Sequence, residues 1–488
     1  MIGSLKLKDY GLLAIVAMGL LYFLFPTTNN FIDSYAYAAS AASGEDLFYP
    51  HHLLFNILPY GIASLFQISN TLLLLSYINA LFSIGCLFLI NSILFSRVNA
   101  ATRAWTLVLL GACFGFMRYA TEGETYIIPL FFSLWASRAI LLEKRIFKTA
   151  LLAALACLFH QIHFFWWLGL LFFVMMAFRE RKLKNFLIFG TTSCIVPVVY
   201  LLVFYLTENN SSNCIEYVFH DYISSNDVSF GLKPVTFLLT PISFIRTFFQ
   251  VHGYMFVLIR QYWVLWGVVI FCAVCFVFNC FKLKATQKRK NESGYQRLFA
   301  QAHLIVFALQ FLFAFISDGN AEFMVMLPFA LVLFIFFQYD FKRLTMTYFA
   351  LSLLIWNIAF ALLPNHFLEL TSDLPLKKYI ELNPEEAYIL KNKTRLNNML
   401  KYEHPEKEYK LYSLDKDAIK IDSLLSVHGR IISDVATQDR LSRASFVSNE
   451  NLKAFSNHQV QSIDSIPFDL GVLKLINITF APHKKNNR

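Results

Sequence analysis

The sequence predicts an all-α polytopic membrane protein with a small α/β domain outside the membrane at its C-terminal end. The chain is 57% hydrophobic and 17% aromatic but only 15% charged, whereas soluble domains carry about 25% charged residues. Apolar runs long enough to cross a hydrocarbon core of about 30 Å recur over the first three quarters of the chain. After Leu363 the composition becomes polar and rich in both signs of charge.

The apolar segments define the predicted helices. Residues 10–26 form an uncleaved first span, because too many polar residues separate them from the next run of small residues for signal-peptide cleavage. Residues 53–66 are interrupted by Pro59 and Gly61, which favours an interfacial or re-entrant helix. With the first span, the predicted total is about eleven; the others lie at 72–95, 104–117, 125–142, 149–160, 162–178, 186–206, 262–281, 298–316, 322–339 and 345–363.

The basic residues are distributed unevenly between alternate loops. Lys and Arg are concentrated in the N-terminus and in residues 96–103, 143–148, 179–185, 282–297 and 340–344. The opposite loops contain only Arg118, Lys233, Arg246 and Arg260. This asymmetry predicts that the first set and the N-terminus are cytoplasmic. The net charge of +10 is therefore explained by topology, and no nucleic-acid partner is expected.

These predictions divide the chain into a membrane domain, residues 1–363, and an outer-face domain, residues 364–488, which is periplasmic if the protein lies in a bacterial inner membrane. In the outer domain, residues 383–401 are predicted to be helical, and residues 430–435 and 471–480 to be strands. Cys272 and Cys275 form a CxxC pattern within an apolar helix without a nearby His or acid. The cysteines therefore do not indicate a disulfide framework.

Acids and histidines collect in the loops predicted on the outer face. They are Asp33, Glu45, Asp46, His51 and His52 in the first loop, Glu122 and Glu124 in the second, His160 and His163 in the third, and Asp318 and Glu322 in the fifth. Ionisable groups close to the apolar zone are costly and are usually retained for function. Asp33 has apolar and aromatic neighbours, where an unpaired carboxylate is expensive. Glu122 and Glu124 share one short loop, so they can raise each other's pKa or share a cation.

Several of these residues also have a structural interpretation. Glu45, Asp46 and Asp318 fit solvated loop positions. His163 fits an aromatic packing position, and His51 and His52 could cap the interfacial helix. Arg118, Arg246 and Arg260 fit anchors at the membrane interface.

The motifs Asp33-Ser-Tyr, Leu47-Phe-Tyr-Pro-His-His-Leu-Leu-Phe and Glu124-Thr-Tyr-Ile-Ile-Pro resemble those of the GT-C superfamily of membrane glycosyltransferases. The resemblance covers residues 1–206, the part that corresponds to the shared helical module, and residues 207–363 would be the variable helices. It implies transfer of a sugar from a polyprenyl-phosphate-linked donor to a glycan, lipid or protein acceptor at the outer face. Asp33 would match the first-loop acid, and Glu124 or Glu122 the second-loop acid.

The resemblance leaves metal dependence open, because Asp33 is followed by Ser34 rather than by a second acid. If a divalent cation such as Mg²⁺ or Mn²⁺ takes part, Asp33 and Glu124 are its expected ligands. The residues expected to contact the substrates are His51, His52, Tyr126, His160, His163, Arg118, Arg246 and Arg260. The scarce external cations among them could stabilise a phosphate leaving group.

Three other functions are compatible with parts of the pattern. A transporter or flippase for lipid-linked glycans would place charges at mid-helix and show paired broken helices, which the sequence does not. A polymerase or ligase of lipid-linked glycans would use the same donor but depend more on external arginines. A receptor or assembly factor would act through residues 364–488 alone.

Overall fold

The computed structural model describes residues 10–207, 213–220, 233–282, 287–288, 293–340, 343–414, 420–439 and 455–481. Lys6 and Lys8, which contribute to the predicted orientation, lie outside these residues. The chain divides into two compact units. Unit 1 comprises Met1–Pro26, Ser40–Val251 and Trp266–Leu362, and unit 2 comprises Thr27–Ala39, His252–Leu265 and Leu363–Arg488.

Unit 1 consists of helices joined by short turns. In chain order the helices up to residue 261 are α1 (Tyr10–Leu24), α2 (Ile32–Ser43, shared with unit 2), α3 (Ile57–Phe66), α4 (Thr71–Leu94), α5 (Ala100–Ala112), α6 (Phe114–Ala120), α7 (Ile127–Arg138), α8 (Ile146–Phe159), α9 (Phe164–Ala177), α10 (Lys182–Ser193), α11 (Ile195–Leu206), α12 (Cys214–Val218), α13 (Pro234–Phe248) and α14 (Tyr254–Gln261, in unit 2). Then follow α15 (Leu265–Lys282), β1 (Gln287–Lys288), α16 (Gly294–Ile316), α17 (Leu327–Gln338), β2 (Tyr339–Asp340) and α18 (Arg343–Asn357).

Among the described residues, four continuous helical segments are long and apolar enough to cross a membrane: Thr71–Leu94, Arg179–Leu206, Gly294–Ile316 and Met346–Phe367. The number in this part of the chain rises to six if the bent pairs α5 with α6 and α14 with α15 each count as one span. The same residues contain six further apolar helices of 10–17 residues. The helical membrane fold predicted from the sequence is therefore confirmed, while the total of about eleven spans stays a prediction.

The buried side-chain amide of Asn357 links three helices of unit 1 near their C-terminal ends. Asn357 at the end of α18 is fully buried. Its Nδ2 donates to the carbonyl oxygens of Ala112 and Phe248, both at 2.7 Å, and its Oδ1 accepts from the amide of Gln250 at 2.9 Å. The two carbonyls lie at the C-terminal ends of α5 and α13, whose last carbonyls lack helical partners. One side chain thus satisfies backbone groups from two other helices.

Unit 2 contains a mixed sheet with helices. Its elements are α19 (Leu363–Phe367), α20 (Asp373–Leu382), β3 (Ala387–Leu390), α21 (Lys393–Glu403), β4 (Lys410–Ser413), α22 (Ile421–His428), β5 (Ile431–Ser433), β6 (Gln438–Asp439), β7 (His458–Phe468) and β8 (Gly471–Phe480). The strand order is β4-β3-β5-β8-β6, and β7 also pairs with β8. β3 is parallel to β4 and β5, whereas β8 is antiparallel to its partners. The predicted α/β composition and the strand at 471–480 are confirmed.

The helix predicted over residues 383–401 is wrong in its first half. Ala387–Leu390 form β3, and helix α21 begins only at Lys393. All four residues of β3 are buried, because the strand lies between β4 and β5. Tyr388 and Leu390 belong to the apolar core on one side of the sheet and Ile389 to the core on the other. Burial on both faces favours the extended conformation for a short apolar run.

The start of α2 is part of unit 2. The side chain of Asn29 donates to the carbonyl oxygens of Asn365 at 3.0 Å and Leu368 at 2.7 Å, and accepts from the amide of Leu370 at 2.9 Å. A guanidinium nitrogen of Arg395 donates to the carbonyl of Asn30 at 2.9 Å. These bonds fix the segment that leads to Asp33.

Candidate active site

The loop between α6 and α7 carries two of the predicted acids, and the structure distinguishes them. The carboxylate of Glu122 is fully buried and pairs with Nε of Arg118 at 2.6 Å. Nδ2 of Asn79 on α4 donates to the carbonyl oxygens of Glu122 at 2.7 Å and Glu124 at 2.6 Å. Glu122 and Arg118 therefore form a buried ion pair that holds the loop. Glu124 is 5% exposed on a backbone fixed by Asn79.

A third carboxylate joins this loop from a distant part of the chain. The hydroxyl of Tyr126 donates to Oε2 of Glu322 at 2.8 Å, and the amide of Glu322 is capped by Oδ1 of Asn320 at 2.9 Å. The rings of Tyr119 and Tyr126 lie 4.8 Å apart. Glu122, Glu124 and Glu322 all lie close enough to Tyr119 to act on its hydroxyl electrostatically. The three acids thus surround one pair of tyrosines.

The predicted histidines of the first and third outer loops meet beside Tyr126. The ring centroids of His51 and His52 are 4.2 Å apart, and each lies within 6.4 Å of the centroid of His160. His160 also lies 5.2 Å from the ring of Tyr126. Burial lowers the pKa of His52 well below its usual value, and the neighbouring His51 and His160 lower it further. The turn therefore holds His52 neutral at physiological pH.

His163 lies deeper among the helices. Its side chain is buried, and its Nδ1 hydrogen-bonds to Oγ of Ser133 on α7 at 2.7 Å. One turn further along, Trp166 donates to Oγ of Ser137 at 2.9 Å, and Oγ of Ser137 bonds Nε2 of His303 at 3.0 Å. These pairs join α7 to α9 and α16, which matches the packing interpretation of His163.

Of the remaining predicted residues, Arg246 lies close enough to Tyr119 to act on it electrostatically, and Arg260 and Asp33 belong to unit 2. The guanidinium of Arg246 lies 5.8 Å above the ring of Phe114, at the start of α6. Arg260 is exposed on α14 in unit 2. Asp33 is also in unit 2 and occupies the first turn of α2.

The side chain of Asp33 is exposed, although its neighbours in the sequence are apolar and aromatic. A carboxylate is favourable in the first turn of a helix, where the backbone amides and the helix dipole attract negative charge. The next two residues of the helix, Ser34 and Tyr35, are buried instead, so the helix directs them away from the side on which Asp33 lies.

A large apolar cavity adjoins the histidine turn. It measures about 960 Å³ and is lined mainly by side chains of α9, α11 and α12, among them Phe165, Trp167 and Leu201. Gln161 and Tyr200 also line it, and both donate to the carbonyl oxygen of Pro50, at 3.1 Å and 2.6 Å. Pro50 immediately precedes His51. The same two side chains therefore touch both the cavity and the backbone that leads into His51.

Asp33 and Glu124 are the carboxylates expected to bind a divalent cation, and carboxylate oxygens suit Mg²⁺ and Mn²⁺. Neither is part of a group of three potential ligand side chains in the described chain; the group with that geometry is Glu381, Glu403 and His404 in unit 2. There the ammonium of Lys377 contacts Glu403 and lies 3.6 Å from Glu381, so an ion-pair network occupies the space.

Comparison with known proteins gives similarity only at the level of three-dimensional structure. No family model and no curated protein sequence matches the chain. The oligosaccharyltransferase of Archaeoglobus fulgidus, in complex with Zn and sulfate, is 9% identical with a TM-score of 0.48, covering 95% of this chain and 72% of its own. ArnT from Cupriavidus metallidurans is 12% identical in its apo state (TM-score 0.42, covering 96% and 97%) and bound to undecaprenyl phosphate (0.46, covering 97% and 98%).

Both of these proteins are GT-C glycosyltransferases, the superfamily whose motifs this sequence resembles.

Sequence reasoning missed the most specific contact of the site. Glu322 was noticed only as one of several outer-loop acids, and Tyr119 and Asn79 were not singled out. The pairing of Tyr126 with Glu322 spans 196 residues, and no local spacing reports such a contact. The sequence offers one indication of this contact: acids recur in several outer loops, which lie on the same side of the membrane.

Proposed function

We propose that this chain is a membrane glycosyltransferase that moves a sugar from a polyprenyl-phosphate-linked donor to a glycan, lipid or protein acceptor at the outer face of the membrane. The observation that supports this most directly is a large apolar cavity next to the turn that carries His51 and His52. Gln161 and Tyr200 line the cavity and bind the carbonyl of Pro50, next to His51. A substrate with a long hydrocarbon tail and a polar head fits such a pair of sites.

The cavity is the proposed place for the hydrocarbon tail. Its wall consists mostly of aromatic and aliphatic side chains, including Phe164, Val196 and Phe313. A tail buried there gains about 0.8 kcal/mol for each methylene group removed from water. The head group of such a donor would lie toward the histidine turn, since that is where the cavity wall carries polar contacts.

The proposed chemistry is a displacement at the anomeric carbon of the donor sugar. The acceptor hydroxyl oxygen forms a bond to that carbon while the bond from the carbon to the phosphate oxygen breaks. A carboxylate takes the hydroxyl proton, and the resemblance assigns this role to Asp33. Glu124 matches the acidic residue that the family carries in its second outer loop. Glu122 is assigned a supporting role, because its charge is already neutralised by Arg118.

The leaving phosphate needs positive charge or hydrogen-bond donors. Arg246 and Arg260 are the proposed cations, and His51, His52, His160 and Tyr126 are the proposed contacts to the head group. Neutral imidazoles such as His52 donate a hydrogen bond from one ring nitrogen. In the proposed topology the N-terminus is cytoplasmic, residues 1–363 are the membrane domain and residues 364–488 lie in the periplasm.

The proposal is tested by comparing lipid-linked sugars and surface glycans, by mass spectrometry, in cells that carry the native protein, Glu124→Gln, Asp33→Asn or Glu45→Gln. Glu45 is an exposed acid of the first outer loop and provides the matched control. The expected result is that Glu124→Gln and Asp33→Asn accumulate one polyprenyl-linked sugar and lose that sugar from a glycan, while Glu45→Gln does not. Unchanged glycans and donor pools in a correctly inserted Glu124→Gln variant would contradict the proposal.

A further inference from the structure

A second, smaller cavity lies in unit 1 at the end where α16 begins. It measures about 290 Å³ and is formed by residues from four parts of the chain: the end of α4 with the following turn, the turn after α7, the start of α16 and the end of α17. At about 30 Å³ for each water molecule, it has room for roughly ten waters. Its lining is Ile93, Ser96, Arg97, Leu141, Leu142, Lys144, Ser293, Tyr295, Gln296 and Phe337.

Two cationic side chains line this cavity, and aromatic rings hold both in place. The guanidinium of Arg97 lies 4.4 Å from the ring centroid of Phe337, and the ammonium of Lys144 lies 5.3 Å from that of Tyr295. Lys144 has a left-handed backbone with φ of 55°. The neighbouring carboxylate of Glu143 is engaged elsewhere, by Arg138 at 2.7 Å and Lys148 at 2.9 Å. Within the described part of the chain, no carboxylate belongs to the cavity lining.

The N-terminus of α16 lies in the same wall. Ser293 caps this 23-residue helix by accepting from the amide of Gln296, and both residues line the cavity. The first amides of a helix have no partner within it, and the helix dipole adds partial positive charge at this end. Two cations and the start of helix α16 thus line one space large enough for a substituted phosphate.

We propose that this cavity binds a phosphate group. Arg97 supplies planar paired donors that match phosphate oxygens, Lys144 supplies a point charge, and the start of α16 supplies backbone amides. Basic pockets between membrane helices are suited to the head groups of anionic lipids, and a free phosphate ion has the same chemistry. The site is separate from the cluster proposed for glycosyl transfer, because the two have no lining residue in common.

The test uses the full-length protein purified in detergent with two probes. Dioleoylphosphatidylglycerol is titrated by native mass spectrometry, with dioleoylglycerol as the phosphate-free control, and inorganic phosphate is titrated by thermal shift and as a competitor. The variant pair Arg97→Gln with Lys144→Gln is compared with Arg145→Gln and Arg181→Gln, which remove two exposed charges that do not line the cavity. Lys144→Gln alone serves as a second variant, because Lys144 is exposed and its replacement leaves the core intact.

The first pair is expected to weaken binding about thirtyfold and Lys144→Gln alone about fivefold, given the contribution of each basic residue to binding an anionic lipid. The Arg145 and Arg181 pair should leave binding nearly unchanged. If the lipid binds and millimolar inorganic phosphate does not displace it, the ligand is a lipid head group. If phosphate displaces the lipid, or binds where the lipid does not, the ligand is a soluble anion. Binding of neither probe, or equal losses in the two variant pairs, would overturn the proposal.

Discussion

The hydroxyl of Tyr126 donates a 2.8 Å hydrogen bond to the carboxylate of Glu322. The bond joins the loop after α6 to the turn before α17, and it brings a third acid to the loop that carries Glu122 and Glu124. The same tyrosine ring lies against His160. Tyr126 is therefore the side chain through which the acids and the histidines of the candidate site are connected.

Replacing Tyr126 by Phe should separate the effect of this bond on stability from its effect on activity. The change leaves the partly buried carboxylate of Glu322 without its phenol donor, which costs about 1–3 kcal/mol. Glu322→Gln keeps an oxygen that can accept from Tyr126 and should cost less. The two variants and their double variant are compared by unfolding in mixed micelles and by consumption of lipid-linked donor. If the effects of the two changes simply add, the bond does not couple these residues.

The Arg118–Glu122 pair should be more important for stability than for chemistry. Arg118→Met leaves a buried, uncompensated carboxylate and should cost about 3–5 kcal/mol. Arg118→Met combined with Glu122→Met removes both charges and should restore most of that loss. The measurement is unfolding in detergent micelles. A double variant as unstable as Arg118→Met alone would show that the pair is not the source of the loss.

The apolar cavity provides a matched pair of substitutions on one helix. Val196 on α11 lines the cavity, whereas Val198 on the same helix is half exposed and does not. Val196→Trp fills space that the proposed tail needs and should raise the KM for a lipid-linked donor about tenfold, as expected when roughly 1.4 kcal/mol of binding is lost. Val198→Trp adds the same side chain outside the cavity and serves as the control. Equal KM values in the two variants would place the tail elsewhere.

Unit 2 should be more stable in mild acid than at neutral pH, because the buried carboxyl of Asp434 is protonated in acid. Burial raises the pKa of this carboxyl from 3.8 to about 6, and the hydrogen bond from the amide of Lys391 only partly opposes the shift. The folded state therefore holds the proton more tightly than the unfolded state. The stabilisation is complete below about pH 4 and is lost as the pH rises to about 6, a difference of about 3 kcal/mol at 1.36 kcal/mol for each pKa unit.

Asp434→Asn should remove this dependence, because the amide oxygen can still accept from Lys391 and carries no charge. Pulse proteolysis of the full chain, scored on peptides from 363–481 at pH 4.5 and pH 7.5, measures the effect. The variant should resist proteolysis better than the native protein at pH 7.5. Equal resistance at that pH would mean that the carboxylate is not strained by burial.

How much the sequence could predict depends on how local each signal is. Composition and apolar runs predicted the membrane helices, and the strand Gly471–Phe480 was predicted with its observed bounds. Ala387–Leu390 was misassigned, because the neighbours that bury this strand on both faces come from β4 and β5. The exposure of Asp33 was not evident from the sequence, because its neighbours in the sequence are apolar and aromatic.

Within the candidate site, the loops were predicted and their connections were not. Acids and histidines of four outer loops do converge, as their placement on one face of the helices suggested. The sequence does not show which side chains pair, because pairing depends on side-chain geometry. Arg118 neutralises Glu122, and Tyr126 bonds Glu322 rather than Asp318. Asp318 instead pairs with Lys233 at 2.9 Å.

The central claim is that Glu124 belongs to a site that breaks the bond between a sugar and a polyprenyl phosphate. The most direct measurement follows the release of polyprenyl phosphate, by liquid chromatography and mass spectrometry, when the purified chain in proteoliposomes is given cell-envelope lipids and glycans. Polyprenyl phosphate is released whichever sugar is transferred and whichever acceptor receives it. We expect release by the native protein and by Glu45→Gln, and about a hundredfold slower release by Glu124→Gln, because removing one group that stabilises charge in the transition state costs about 10²–10³ in rate. Release by Glu124→Gln at the native rate would contradict the account.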